Sequence, residues 1–143
     1  MNFIFQTEPS FSFLILRLGL AFTFFAHSGQ QIFGWFGGRG VKDTVNNWKT
    51  RYGIPPWLAG VGMFTEFAGS FALLLGYLTR PFALGLAIFM FVAMQKAHWQ
   101  HGFFLGRQGA GNGIEFCLAL FLMAVALLIG GGGALSIDAL LAR

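Results

Sequence analysis

Seven ionisable side chains lie inside or at the ends of long apolar stretches of this chain: Arg17, His27, Glu66, Lys96, His98, His101 and Glu115. Ionisable groups at membrane depth are costly and mark functional sites by default. Glu66, His27 and His98 are the candidates for catalytic proton handling, because carboxyl and imidazole groups give and take protons. Arg17, Gln31, Gln95 and Glu115 are the candidates for binding a cofactor. Two histidines three residues apart, His98 and His101, are too few to hold a metal, and no metal site is expected. Each residue also has a plainer reading. Glu66 fits a buried structural acid. Arg17 fits either snorkelling to headgroups or pairing with Glu66. Glu115 follows Asn112 at the spacing of a capping box. Lys96 and His101 fit the membrane interface, and Cys117 fits a small core residue.

These groups must be positioned by helices. About 20 mainly apolar residues span the hydrocarbon as a helix, and four stretches qualify or come close: about 11–33, 57–78, 81–98 and 113–129. None alternates as barrel strands do. Gly37-Gly38 is read as the end of the first span, Pro55-Pro56 opens the second, and Gly76 to Pro81 makes a tight turn. A glycine-rich loop from Gly102 to Gly113 follows the third span, and Gly130–Gly133 ends the fourth. Between the first two spans, Val41, Val45, Trp48 and Tyr52 recur at helical spacing among polar residues. They predict a short amphipathic helix lying in the interface, closed by Gly53. The expected fold class is all-α, a four-helix transmembrane bundle in a single domain, 1–143.

Alternating helix direction puts His27, Gln31, Gln95, His98, Glu66 and Glu115 in the same half of the bilayer. Glu66 is the deepest, about 14 Å from the helix start at 1.5 Å per residue. Gly62, Gly69 and Ser70 share its helix face, and small residues let helices approach closely, so Glu66 is expected to point into the bundle.

Composition sets the class. Of 143 residues, 56% are hydrophobic and 10% charged, with 19 phenylalanines; soluble domains carry about 25% charged residues. The partner expected first is therefore the lipid bilayer. The net charge of +4 sits mostly in the connections, which suits anionic headgroups and not nucleic acid. One cysteine excludes a disulfide within the chain and a paired-thiol redox motif. Met1–Ser10 lacks Lys and Arg, and no cleaved signal peptide is expected. Arg39, Lys42, Lys49, Arg51 and Arg107 fall in the first and third connections, which the positive-inside rule would place in the cytoplasm.

The run Arg17-Leu18-Gly19-Leu20, then His27 with Ser28-Gly29, resembles the first helix of the DoxX family, with Gln31 where that family commonly has lysine. Glu66-Phe67-Ala68-Gly69, Leu74-Leu75-Gly76 and Thr79-Arg80 are similar to its second helix and turn. Gly113-Ile114-Glu115 and Gly133 to Asp138 are similar to its fourth helix and tail. The resemblance implies a four-helix protein of the bacterial plasma (inner) membrane, and it points toward quinone-coupled oxidation of sulfur compounds or membrane complexes that meet oxidative and thiol stress. The expected function is an accessory subunit of a membrane redox system coupled to quinone or to sulfur/thiol oxidation, with an intramembrane pocket for a quinone or similar lipid-soluble carrier and another redox protein holding the electron-carrying centre. The alternatives are a small-solute or proton transporter and a non-catalytic membrane scaffold. A homo-oligomer is left open.

Overall fold

The computed structural model describes residues 3–106 and 111–142. Arg107, counted above among the basic residues, lies outside them. The chain folds into α1 (Phe11–Phe33), α2 (Gly40–Tyr52), α3 (Pro56–Leu75), α4 (Thr79–Ala93), α5 (Glu115–Gly130) and α6 (Ile137–Leu141). Among the described residues there is no strand. α1, α3, α4 and α5 form the four-helix bundle: α1 packs on α3, α3 on α4, α4 on α5, and α5 returns to α1. α1, α3 and the continuous helical stretch Thr79–His101 are each long and apolar enough to cross a bilayer. α5 is a shorter apolar helix of 16 residues, roughly 24 Å long.

The side chains obey the demands of lipid. The outward positions are large and apolar, for example Ile15, Phe22, Phe64, Ile88 and Ile129. The inward positions are smaller or close-packed: Leu20, Phe24, Leu73, Ala83, Leu86, Ala124 and Leu127 make one core. Breakers act where chemistry requires them. α1 is closed by Gly34, whose φ of 73° is left-handed and whose N–H reaches the Gly29 carbonyl, so the stop comes before the Gly37-Gly38 pair expected to supply it. Pro56 opens α3 and Gly53 closes α2. α3 stops at Leu75, not Leu78, because Gly76 turns left-handed.

The end of the bundle that carries both termini is closed by a buried polar knot. Arg17 is 1% exposed and donates to the carbonyls of Gly132 at 2.9 Å and Leu135 at 3.0 Å. Its guanidinium lies directly against Gly76, where a side chain would have no room. Asp138 is equally buried, and its two carboxylate oxygens each accept at 2.8 Å from the N–H groups of Leu78 and Thr79. Those N–H groups lie at the start of α4, where a helix lacks internal partners and its dipole favours an anion. Arg80 donates to the carbonyls of Gln6 and Leu128 and lies over the Phe3 ring. Two leucines of the knot, Leu78 and Leu135, hold left-handed backbone angles of 50° and 56°; such strain persists only where surroundings over-determine it.

Arg17 therefore does not pair with Glu66. The glycine-rich tail brings carbonyls to the guanidinium at its own end of the bundle, and backbone partners supersede a carboxylate far along the next helix.

Asp138→Ala should lower stability by about 3–5 kcal/mol, the usual cost of deleting one side of a buried charged arrangement. Thermal unfolding in detergent is the measurement, with the exposed Leu141→Ala as the control. Equal midpoints for the two variants would remove the knot from this role.

Candidate functional site

At the opposite end the helices surround a cavity of about 550 Å³. Five helices and a loop build it. α1 contributes Phe24, His27 and Gln31; α3 contributes Glu66; α5 contributes Phe116, Cys117 and Leu120. α4 contributes Phe89, Met90 and Ala93, and its π-helical continuation, Met94–His98, adds Lys96, Ala97 and His98. π turns insert one residue into a helix and recur at functional sites. Within it Met94 is buried and Gln95 exposed.

α2 closes the side of the cavity. The sequence placed this helix flat in the interface on a stripe of Val41, Val45, Trp48 and Tyr52. The helix forms as expected, but Trp48 and Tyr52 face the cavity together with Asn47, while Val41 is exposed. Thr44, buried, donates to the backbone carbonyl of Gln31 at 3.2 Å and ties α2 to α1. Trp48 meets Phe89 with ring centroids 6.0 Å apart. Gly62 makes this wall fit: a Cβ there would meet the Phe89 ring at 2.9 Å and Trp48 at 3.4 Å.

Glu66 lies at the inner end. It is 1% exposed, on the same buried face as Gly69 and Ser70, as helical spacing requires. Gln31 is the polar side chain beside its carboxyl. Two atoms here, Glu66 Oε2 and Gln31 Oε1, are buried without a hydrogen-bond partner among the described residues. Buried polar atoms are almost always paired, so each exception calls for a physical reason. His27 lines the same cavity and lies 6.3 Å from the Phe116 ring. His98 lines it too, with Nδ1 at 2.8 Å from the Asn112 carbonyl oxygen, an anchor between the π turn and the loop before α5.

The structure thus brings together Glu66, His27, His98 and Gln31, and leaves the other candidates outside. Arg17 is in the knot. Gln95 is exposed. Glu115 accepts from the Leu105 N–H at 2.6 Å, and α5 begins with Ile114 as its N-cap and no side-chain cap bond, so the Asn112–Glu115 capping box does not form. Glu115 instead pins the Phe103–Leu105 segment. His98 and His101 do not converge; His101 Nε2 lies beside Gln100 Nε2.

Residues 12–99 match the DoxX family. The chain belongs to the DoxX family. The matched stretch runs from α1 to the end of the π turn and carries Glu66, Gln31, His27 and His98; it stops before α5. No curated protein and no solved structure matches the chain.

Cys117 is the one thiol of the chain and reports on the cavity it lines. N-ethylmaleimide should label it in the folded protein, and Ala93→Phe, which fills the space, should slow labelling several-fold. An unchanged rate in a folded Ala93→Phe protein would mean that Cys117 is reached by another path.

Proposed function

We propose that this protein is an accessory subunit of a membrane redox system, and that its cavity holds a lipid-soluble quinone. The carrying observation is the pair of unpartnered buried oxygens, Glu66 Oε2 and Gln31 Oε1, in a cavity whose walls are mostly aromatic and aliphatic. Small-molecule sites have this form: about 300–1,000 Å³, mostly apolar walls, and a few convergent polar groups that orient the ligand.

The residues suit the group. Phe24, Phe89, Phe116 and Trp48 offer faces and edges for a flat ring. Glu66, His27 and His98 offer sites for protons at membrane depth. A bound quinone would supply the electron and proton acceptor that the chain lacks. The protein's own part is to admit the ring, orient its oxygens toward Glu66 and Gln31, exclude water, and hold or pass a proton at the Glu66 carboxyl. The electron-carrying centre then belongs to a partner redox protein, and the setting is the plasma membrane of a bacterium.

Binding can be read directly. In lipid nanodiscs, a variant retaining Trp48 alone, with Trp35, Trp57 and Trp99 changed to Phe, should show saturable quenching by tetramethyl-1,4-benzoquinone. Ala93→Phe should weaken it at least tenfold. Quenching that rises linearly with quinone, as partition into lipid would give, or saturation untouched by Ala93→Phe, would contradict the proposal.

A further inference from the structure

We infer that a second, polar pocket between α1 and α2 is the water route by which Glu66 regains a proton, with the Gln31 side chain as the gate between pocket and carboxyl. The inference rests on the reading of Glu66 as the proton-holding group of a quinone cavity, and adds where its proton comes from.

The pocket holds about 260 Å³, room for several waters. Its walls differ from those of the cavity. Gln30, Gln31, Arg39, Thr44 and Asn47 line it, and Trp48 is its aromatic member. The mouth lies in the turn between the two helices, where Gly37 and Arg39 are exposed. A charged turn at the end of a membrane span faces headgroups and water. Gly38 lets this turn lie close on α1, since a Cβ there would strike the Gln30 backbone. The Thr44 hydroxyl, bonded to the Gln31 carbonyl oxygen, holds α2 alongside.

Three residues line both spaces and form the partition: Gln31 from α1, and Asn47 and Trp48 from α2. Glu66 lines the cavity and not the pocket, and the Gln31 side chain is its hydrogen-bonding neighbour. Gln31 Oε1 has no partner among the described residues, so a water at the partition finds an acceptor there. An amide does not itself carry a proton at neutral pH. Gln31 therefore acts by position: a change of rotamer moves the amide aside and admits water to the carboxyl.

The cavity itself is a poor route. Phe24, Phe89, Met90, Phe116 and Leu120 are among its walls, and a bound ring fills it. A Glu66 carboxylate that has given up its proton must take another from hydronium, leaving water, while the ring is still in place. The pocket between α1 and α2 stays open at that moment. His27, Lys96 and His98 face the cavity and not the pocket, and they define the rival route.

Exchange of the Glu66 carboxyl proton for deuterium reads the route with no quinone present. The protein in nanodiscs is moved into heavy water at a pH where carboxyls are protonated. Infrared spectroscopy follows the shift of the Glu66 C=O stretch, assigned by its loss in Glu66→Gln. Asn47→Leu should slow exchange at least about fivefold, the factor that one lost hydrogen bond along the path carries. Asn47→Gln, which keeps the polar group, should keep the parent rate. Gln31→Ala, which removes the gate, should quicken exchange, and Gln31→Leu, which makes the gate apolar, should slow it. Ala93→Phe and His27→Leu, which alter only the cavity, should leave it unchanged. Equal rates in Asn47→Leu and the parent, exchange complete on mixing in every variant, or a slowing by Ala93→Phe or His27→Leu as great as that by Asn47→Leu, would each overturn the inference while leaving the quinone site standing. The Trp48 quenching titration is a separate measurement, so its failure removes the quinone reading and leaves the exchange result to be read as a route to Glu66 alone.

Discussion

A bundle in lipid has no water to satisfy polar groups, and the carboxylate of Asp138 answers that constraint for the end of the molecule where the chain must turn. Its two oxygens close the N-terminus of α4, and its own N–H reaches the Gly76 carbonyl that ends α3. One residue near the end of the sequence thereby fixes the α3–α4 turn, and Arg17 fixes the glycine tail that delivers it. The N-terminal segment joins the same arrangement through Glu8, whose N–H donates to Gly130. Since each unsatisfied backbone group in hydrocarbon costs several kcal/mol, such a knot leaves the helices little freedom at this end.

The other end is free to be functional because the first is closed. With one end held at the knot, the cavity lies at the other, beside α2 and the π turn. The sequence supports this division. Glycines at the knot bring backbone close to Arg17 and Asp138, while aromatic residues at the far end leave gaps that smaller side chains would have filled by closer approach. The same α3 helix serves both: Gly76 against Arg17 at its end, and Glu66 with Gly62 in its cavity half.

Much of this was legible in the residues. Run length and hydropathy give the four helices, breakers give their ends to within a few residues, and the small-residue face turns Glu66 inward. Helix direction assembles Glu66, His27, Gln31 and His98 in one half. What escaped has identifiable causes. Arg17 was read as either snorkelling or pairing with Glu66 because helical-wheel reasoning sees faces and not the tail that folds back from 118 residues later in sequence. Asp138 and Arg80 were read as tail and turn residues, although a lone carboxylate after four glycines in an apolar chain was the available signal. The amphipathic stripe of α2 was real, but periodicity cannot tell a lipid surface from an internal cavity as the thing it faces. The family match covers the three spans that hold Glu66, Gln31, His27 and His98, so the site and not the knot's tail lies within it.

Photoaffinity labelling with an azido-substituted benzoquinone, in native-like nanodiscs and read by peptide mass spectrometry, tests the central claim most directly. The account predicts adducts on cavity residues from separate elements, Trp48 of α2, Phe89 of α4 and Phe116 or Cys117 of α5, suppressed together by Ala93→Phe. Adducts confined to lipid-facing residues such as Phe22, Phe64 and Ile88, or unchanged when the cavity is filled, would contradict it.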